Sequence, residues 1–147
     1  MSDSTSRMRA RLVYNGALVM LLGLLAGFPH ALVITGQLAG EERAWRMAHL
    51  EGLLNGLLAL GAAGVWDVLV LSPRQRSWLA LSLIVAAWGN AIGAVLAASF
   101  GVRGLAPAGP AMNAVVYALF TAGVIAVLIA AVLLVRGGAR AIRGDSA

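Results

Sequence analysis

The stretch Arg46-Met47-Ala48-His49-Leu50-Glu51-Gly52-Leu53-Leu54-Asn55-Gly56 sets an imidazole, a carboxylate and an amide close together in an otherwise apolar segment. Residues three and four apart share one face of a helix. The face that continues from His49 therefore reads Gly52, Gly56, Ala59 and Ala63, an imidazole above a groove with almost no side chains. Such a groove suits a flat macrocycle held by an axial histidine, and it suits equally the close approach of another helix. Glu51 and Asn55 are four apart and share a second face, turned away from His49. They can line a substrate pocket or a subunit contact, or Glu51 can pair with Arg46 or Arg103. Asn90 lies in Ala87-Trp88-Gly89-Asn90-Ala91-Ile92-Gly93-Ala94, as interhelical glue or as a pocket donor.

Other polar groups in the apolar segments have plainer readings. His30 follows Pro29, where a helix is expected to kink and free a carbonyl for the imidazole. Asp67 precedes Arg74 and Arg76 and is expected to reach water or an arginine. Asn15, Asn113 and Tyr117 are neutral members of the same set. Several chemistries are excluded. Without cysteine there is no thiolate ligation, iron–sulfur cluster or cysteine zinc site, and the His-x-Glu at 49–51 lacks the cysteine pair of zinc deaminases. A zinc site from His30, His49 and Glu51 has no spacing signature, and there is no phosphate-binding loop or serine nucleophile elbow.

The elements that carry these residues follow from composition. Of the 147 residues 61% are apolar and 12% charged, against about a quarter charged in a soluble domain. The sequence predicts an all-α integral membrane protein, a single-domain antiparallel bundle of four transmembrane helices over roughly 12–36, 41–71, 77–101 and 111–136. All 11 basic residues are arginine. Eight of them fall at 7, 9, 11, 74, 76, 136, 140 and 143, against three at 43, 46 and 103. That bias places both termini in the cytoplasm, as an even number of spans also requires. The location expected is the bacterial inner membrane. Basic residues at segment ends, without interleaved aromatics, argue against nucleic acid as a partner. The pairs Gly23/Gly27, Gly52/Gly56 and Gly89/Gly93 are small-xxx-small patterns, read as helix packing in the first and third helices.

His49, Asn55-Gly56 six residues on, Trp88 with Asn90, and Arg103-Gly104-Leu105 occur in that order. The chain thereby resembles the small membrane isomerases that comprise hydroxylaminobenzene mutases and styrene oxide isomerases, over most of its length. The resemblance implies a haem b enzyme, trimeric, with haem near subunit interfaces and His49 as proximal ligand. It further implies an open iron face that serves as a Lewis acid on a small aromatic substrate, and Asn55 and Asn90 as substrate-orienting residues. Gly52 and Gly56 would border the haem, and Arg46 and Arg103 would be candidates for its propionates. Styrene oxide isomerases carry an aspartate and a tyrosine on the third helix where Ala86 and Ala94 stand here. That departure moves the expectation to the mutase branch, an N-aryl hydroxylamine rearranged to an aminophenol, with epoxide isomerisation as the alternative. A cytochrome with His30 and His49 both on iron, and a scaffold or small transporter without catalysis, are the readings from other classes.

Overall fold

A computed structural model describes residues 3–144. Four helices make up the fold: α1 Asp3–Ile34, α2 Glu42–Gly64, α3 Pro73–Phe100 and α4 Ala111–Ile142. α1, α3 and α4 are long and apolar enough to cross a membrane. α2 is not among them; its 23 residues span about 35 Å, but His49, Glu51 and Asn55 dilute its hydropathy. Leu21, Leu25 and Phe28 on α1 and Val124, Leu128 and Val132 on α4 are exposed apolar residues, which water would not tolerate in such number and lipid does.

Four boundaries differ from the sequence expectation by four residues or more, and the reasons are local. α2 stops at Gly64 instead of running to residue 71. Residues 65–72 leave the helix yet stay apolar because Trp66, Leu69 and Leu71 are buried in the core, so hydropathy does not register the break. Arg76 closes this turn: its guanidinium donates to the carbonyls of Trp66 at 2.8 Å and Leu69 at 2.7 Å. α3 then begins at Pro73, four residues early, with Pro at its first turn and a capping box between Ser72 and Gln75. α1 begins at Asp3 and α4 runs to Ile142, so polar, arginine-bearing turns extend both helices past their apolar stretches. α1 also continues through Pro29 as a single helix.

Packing departs from a closed four-helix bundle. α1, α2 and α3 contact one another, whereas α4 packs on α3 alone among the helices. Gly23 faces Gly52 and Gly16 faces Gly56, so α1 and α2 are antiparallel. Gly89 and Gly93 meet Leu119, Phe120 and Gly123 of α4 in the same sense. The tightest approach is Gly23 on Gly52, where a Cβ on Gly52 would stand 2.6 Å from the Gly23 amide nitrogen. Only glycine permits that distance. Arg9 bonds Asp67, and Val70 donates to the Gly137 carbonyl, so the start of α1, the 65–72 turn and the end of α4 lie at one end of the molecule. Residues 1–2 and 145–147, the termini expected to lie in the cytoplasm, are outside the described residues.

Candidate active site

His49 is half-buried on α2 and its Nδ1 lies 2.8 Å from the carbonyl oxygen of Gly23 on α1. A carbonyl only accepts, so Nδ1 carries the proton and, in the neutral ring, Nε2 keeps its lone pair. Nε2 makes no hydrogen bond; it is not among the sealed, unpartnered nitrogens, which are His30 Nε2 and Trp66 Nε1 among the described residues. Gly27 gives the ring room, since a Cβ there would stand 3.1 Å from Nδ1. The His30 ring lies 6.4 Å away, centroid to centroid, with planes 22° apart. His30 bonds no freed carbonyl beside Pro29, contrary to expectation, because the helix passes the proline unbroken.

The groove of Gly52, Gly56, Ala59 and Ala63 is filled. Gly16, Met20 and Gly23 of α1 occupy it, and a Cβ on Gly56 would meet the Gly16 carbonyl at 2.7 Å. Of the two uses open to such a groove, helix packing is the one present. Gly52 and Gly56 therefore seat α1 and leave no space for a macrocycle on that face.

Asn55 is buried on the opposite side of α2, toward α3. Its Nδ2 donates to the Glu51 carbonyl at 2.9 Å and to Glu51 Oε2 at 2.7 Å, while its Oδ1 accepts from Asn90 Nδ2 at 3.3 Å. The carbonyl is an acceptor only, so the amide orientation follows from the network. Both Asn55 amide hydrogens are spent on Glu51. What remains is one lone pair on Asn55 Oδ1 and one hydrogen on Asn90 Nδ2, an adjacent acceptor and donor. Gly123 of α4 abuts Asn90 Oδ1 and makes space for this amide. Glu51 thus pairs with Asn55 and with neither arginine. Arg46 instead approaches Glu42 at 3.8 Å, both side chains more than half exposed, and Arg103 lies exposed in the loop before α4. Asp67 finds an arginine as expected, but it is Arg9, from α1.

Trp88 donates to Asn15 Oδ1 at 2.9 Å, tying α3 to α1. The loop with Arg103 is organised by Asn113, which accepts from Gly104 N at 2.8 Å and donates to the carbonyls of Ala106 and Ala108 at 2.7 Å each. Gly104 adopts φ 61° and a Cβ there would stand 2.5 Å from Val116, so the Arg-Gly-Leu motif is a constraint of the loop. Ala86 and Ala94 are buried at 1% and 4% exposure. Three partners escaped the sequence reading: the Gly23 carbonyl, Gly27 and Gly123. A backbone carbonyl has no sequence signature, and the two glycines differ from packing glycines only in what faces them. No group of three metal-ligating side chains gathers among the described residues, so the zinc alternative has no site.

Apolar helices carrying a tautomer-fixed imidazole and a paired amide define a helical membrane protein with a polar site buried among its helices. The model of the styrene oxide isomerase family matches residues 8–139, and the chain belongs to that family. Membership suggests an isomerase of the styrene oxide isomerase kind. None of the curated proteins matches the chain.

Proposed function

We propose that the chain is a haem b-dependent isomerase of the bacterial inner membrane that rearranges an N-aryl hydroxylamine, such as hydroxylaminobenzene, to 2-aminophenol. The observation that carries this reading is the bond from His49 Nδ1 to the Gly23 carbonyl. A ligating histidine characteristically donates its other ring nitrogen to a carbonyl or carboxylate, which fixes the tautomer and orients the ring. His49 is the residue that would hold the haem, with Arg46 and Arg103 as partners for its propionates. When bound, the group would supply a Lewis acid for the substrate oxygen.

Asn55 and Asn90 orient the substrate. Asn55 Oδ1 accepts and Asn90 Nδ2 donates, so the pair complements a group that carries both a donor and an acceptor. An N–OH has both; an epoxide oxygen can use only Asn90. The net rearrangement breaks the N–O bond, forms a C–O bond at the ring and returns the ring proton to nitrogen, with no atom entering or leaving. A site buried within the membrane would exclude water while the ring is electrophilic. His49 is held against α1 and Asn55 against α3, so one copy does not turn both to a single cavity. A homotrimer, with the site near subunit contacts, reconciles that placement.

The family description favours a second reading, the rearrangement of an epoxide to an aldehyde. Against it stand the buried Ala86 and Ala94, which bring no polar group. One experiment separates the readings: the absorption spectrum of detergent-purified protein, with turnover of hydroxylaminobenzene set against styrene oxide. A Soret band that disappears in His49→Ala, with the hydroxylamine preferred, is expected. A stable but colourless protein ends the haem reading, and a preference for styrene oxide reverses the choice of substrate. A low-spin spectrum lost in His30→Ala would instead mark a two-histidine cytochrome.

A further inference from the structure

At the arginine-rich end of the molecule the cations divide into two groups. Arg9 is neutralised by Asp67 at 2.8 Å. Arg76 is consumed by the carbonyls of Trp66 and Leu69 and lies 5.5 Å above the Trp66 ring. Arg11 and Arg74 have no hydrogen-bond or ion-pair partner for their guanidinium groups among the described residues. These two, with Arg7, Met8, Pro73 and Ser77, line a cleft of about 430 Å³ between the start of α1 and the first turn of α3. No carboxylate lines it among the described residues. The Ser77 hydroxyl at its edge donates to the Pro73 carbonyl at 3.1 Å.

We infer that this cleft is a binding site for the phosphate of an anionic phospholipid headgroup. Charge complementarity is the first reason. The Arg11 and Arg74 guanidinium groups, from two helices, border one space without a partner among the described residues, and a guanidinium is weakly hydrated and matches phosphate oxygens in pairs. Depth is the second. Arg11 stands on α1 and Arg74 in the first turn of α3, both helices that can cross a bilayer, so the cleft lies at the level of the headgroups and not in solution. Met8 and Pro73 give the glycerol and upper acyl chain an apolar margin. The N-terminal dipole of α3 adds to the same field. The occupied lipid would clamp α1 to α3 at the end where the exposed Arg9–Asp67 pair, the Ser77–Met8 contact and the burial of Leu12 also hold α1.

The test uses the full chain in detergent micelles, titrated with phosphatidylglycerol, phosphatidylcholine or inorganic phosphate, with retained lipid counted by native mass spectrometry. Phosphatidylglycerol should bind in preference to phosphatidylcholine and should weaken as salt rises. Arg11→Gln with Arg74→Gln should lower its affinity on the order of thirtyfold, at about fivefold per arginine near a charged surface. Arg136→Gln, which removes a charge on α4 outside the cleft, should leave it unchanged. Equal binding of the two lipids, an equal loss in Arg136→Gln, or affinity insensitive to salt overturns the proposal; the last two are read on proteins that need no change in the cleft. Inorganic phosphate bound as tightly as the lipid also overturns it, since the site would then serve a soluble anion.

Discussion

At the residue scale, Glu51 and Gly52 are neighbours with unlike tasks. Glu51 takes both hydrogens of the Asn55 amide and so turns Asn55 into a pure acceptor. Interhelical and local hydrogen bonds in membranes average about 0.6 kcal/mol, too little to explain a carboxylate in this position by stability. Glu51→Leu leaves an amide hydrogen unused and frees Asn55 to rotate. The expected result is a fall in hydroxylamine turnover of about tenfold or more, while thermal stability in detergent drops by less than about 2 kcal/mol. Glu51→Gln retains an acceptor oxygen and should recover most of the rate. Gly52 acts through shape alone. Gly52→Ala places a Cβ against the Gly23 backbone, which cannot move aside as a side chain can. Overpacking of that kind costs about 1–3 kcal/mol, and it shifts the carbonyl that orients His49. If haem is bound as proposed, both the melting midpoint and the Soret intensity should fall together in that variant, whereas His49→Ala should lose the Soret band and keep its melting midpoint.

The elements show where apolar sequence hides structure. The 65–72 turn reads as helix because its side chains are core residues, and it is closed by a side chain ten residues away, Arg76 on Trp66. Arg76→Ala removes the partners of two carbonyls at once and should destabilise by about 2–4 kcal/mol, at roughly 1–3 for each polar group left unpaired. Arg74→Ala, two residues earlier and without such bonds, should change stability by less than about 0.5 kcal/mol in lipid-free detergent. Ser72→Ala opens the capping box of α3 and should cost about 1 kcal/mol. Equilibrium unfolding of the three variants in mixed micelles gives the order Arg76, Ser72, Arg74; any other order would show that the turn is held by the burial of Trp66 and Leu71 alone.

Over the whole molecule, the arrangement is a three-helix core with α4 laid on α3, and both described ends of the chain at one end of it. The absence of cysteine makes that arrangement directly measurable. Single cysteines introduced as Ser6→Cys and Ala141→Cys should react with a membrane-impermeant maleimide from the same side of sealed vesicles, and Arg103→Cys from the other. Labelling of Ser6→Cys and Ala141→Cys from opposite faces would mean that α2 fails to cross. The exposed apolar faces of α1 and α4 are available to lipid or to further copies, which the trimer reading requires. Chemical crosslinking in native membranes should accordingly yield bands up to three copies.

Composition and hydropathy decided the class. Four helices, three of them apolar enough to cross a membrane, their rough order and the gathering of arginines at one end are legible because each depends on local content and on the length that a bilayer demands. The ordered motifs His49, Asn55-Gly56, Trp88, Asn90 and Arg103 were enough to indicate the family that the match over 8–139 shows. Tertiary structure decided the rest. Whether the glycine face of α2 holds a ligand or a helix is the same pattern in sequence, and only the position of α1 resolves it. The partner of Glu51, the tautomer of His49 and the end of α2 depend likewise on groups distant in the chain: an amide on the next turn shared with α3, a carbonyl 26 residues away, and a guanidinium across a turn. Periodicity reports which side of a helix is apolar. It does not report which backbone will come to rest there, because close approach is set by the packing of whole helices against each other.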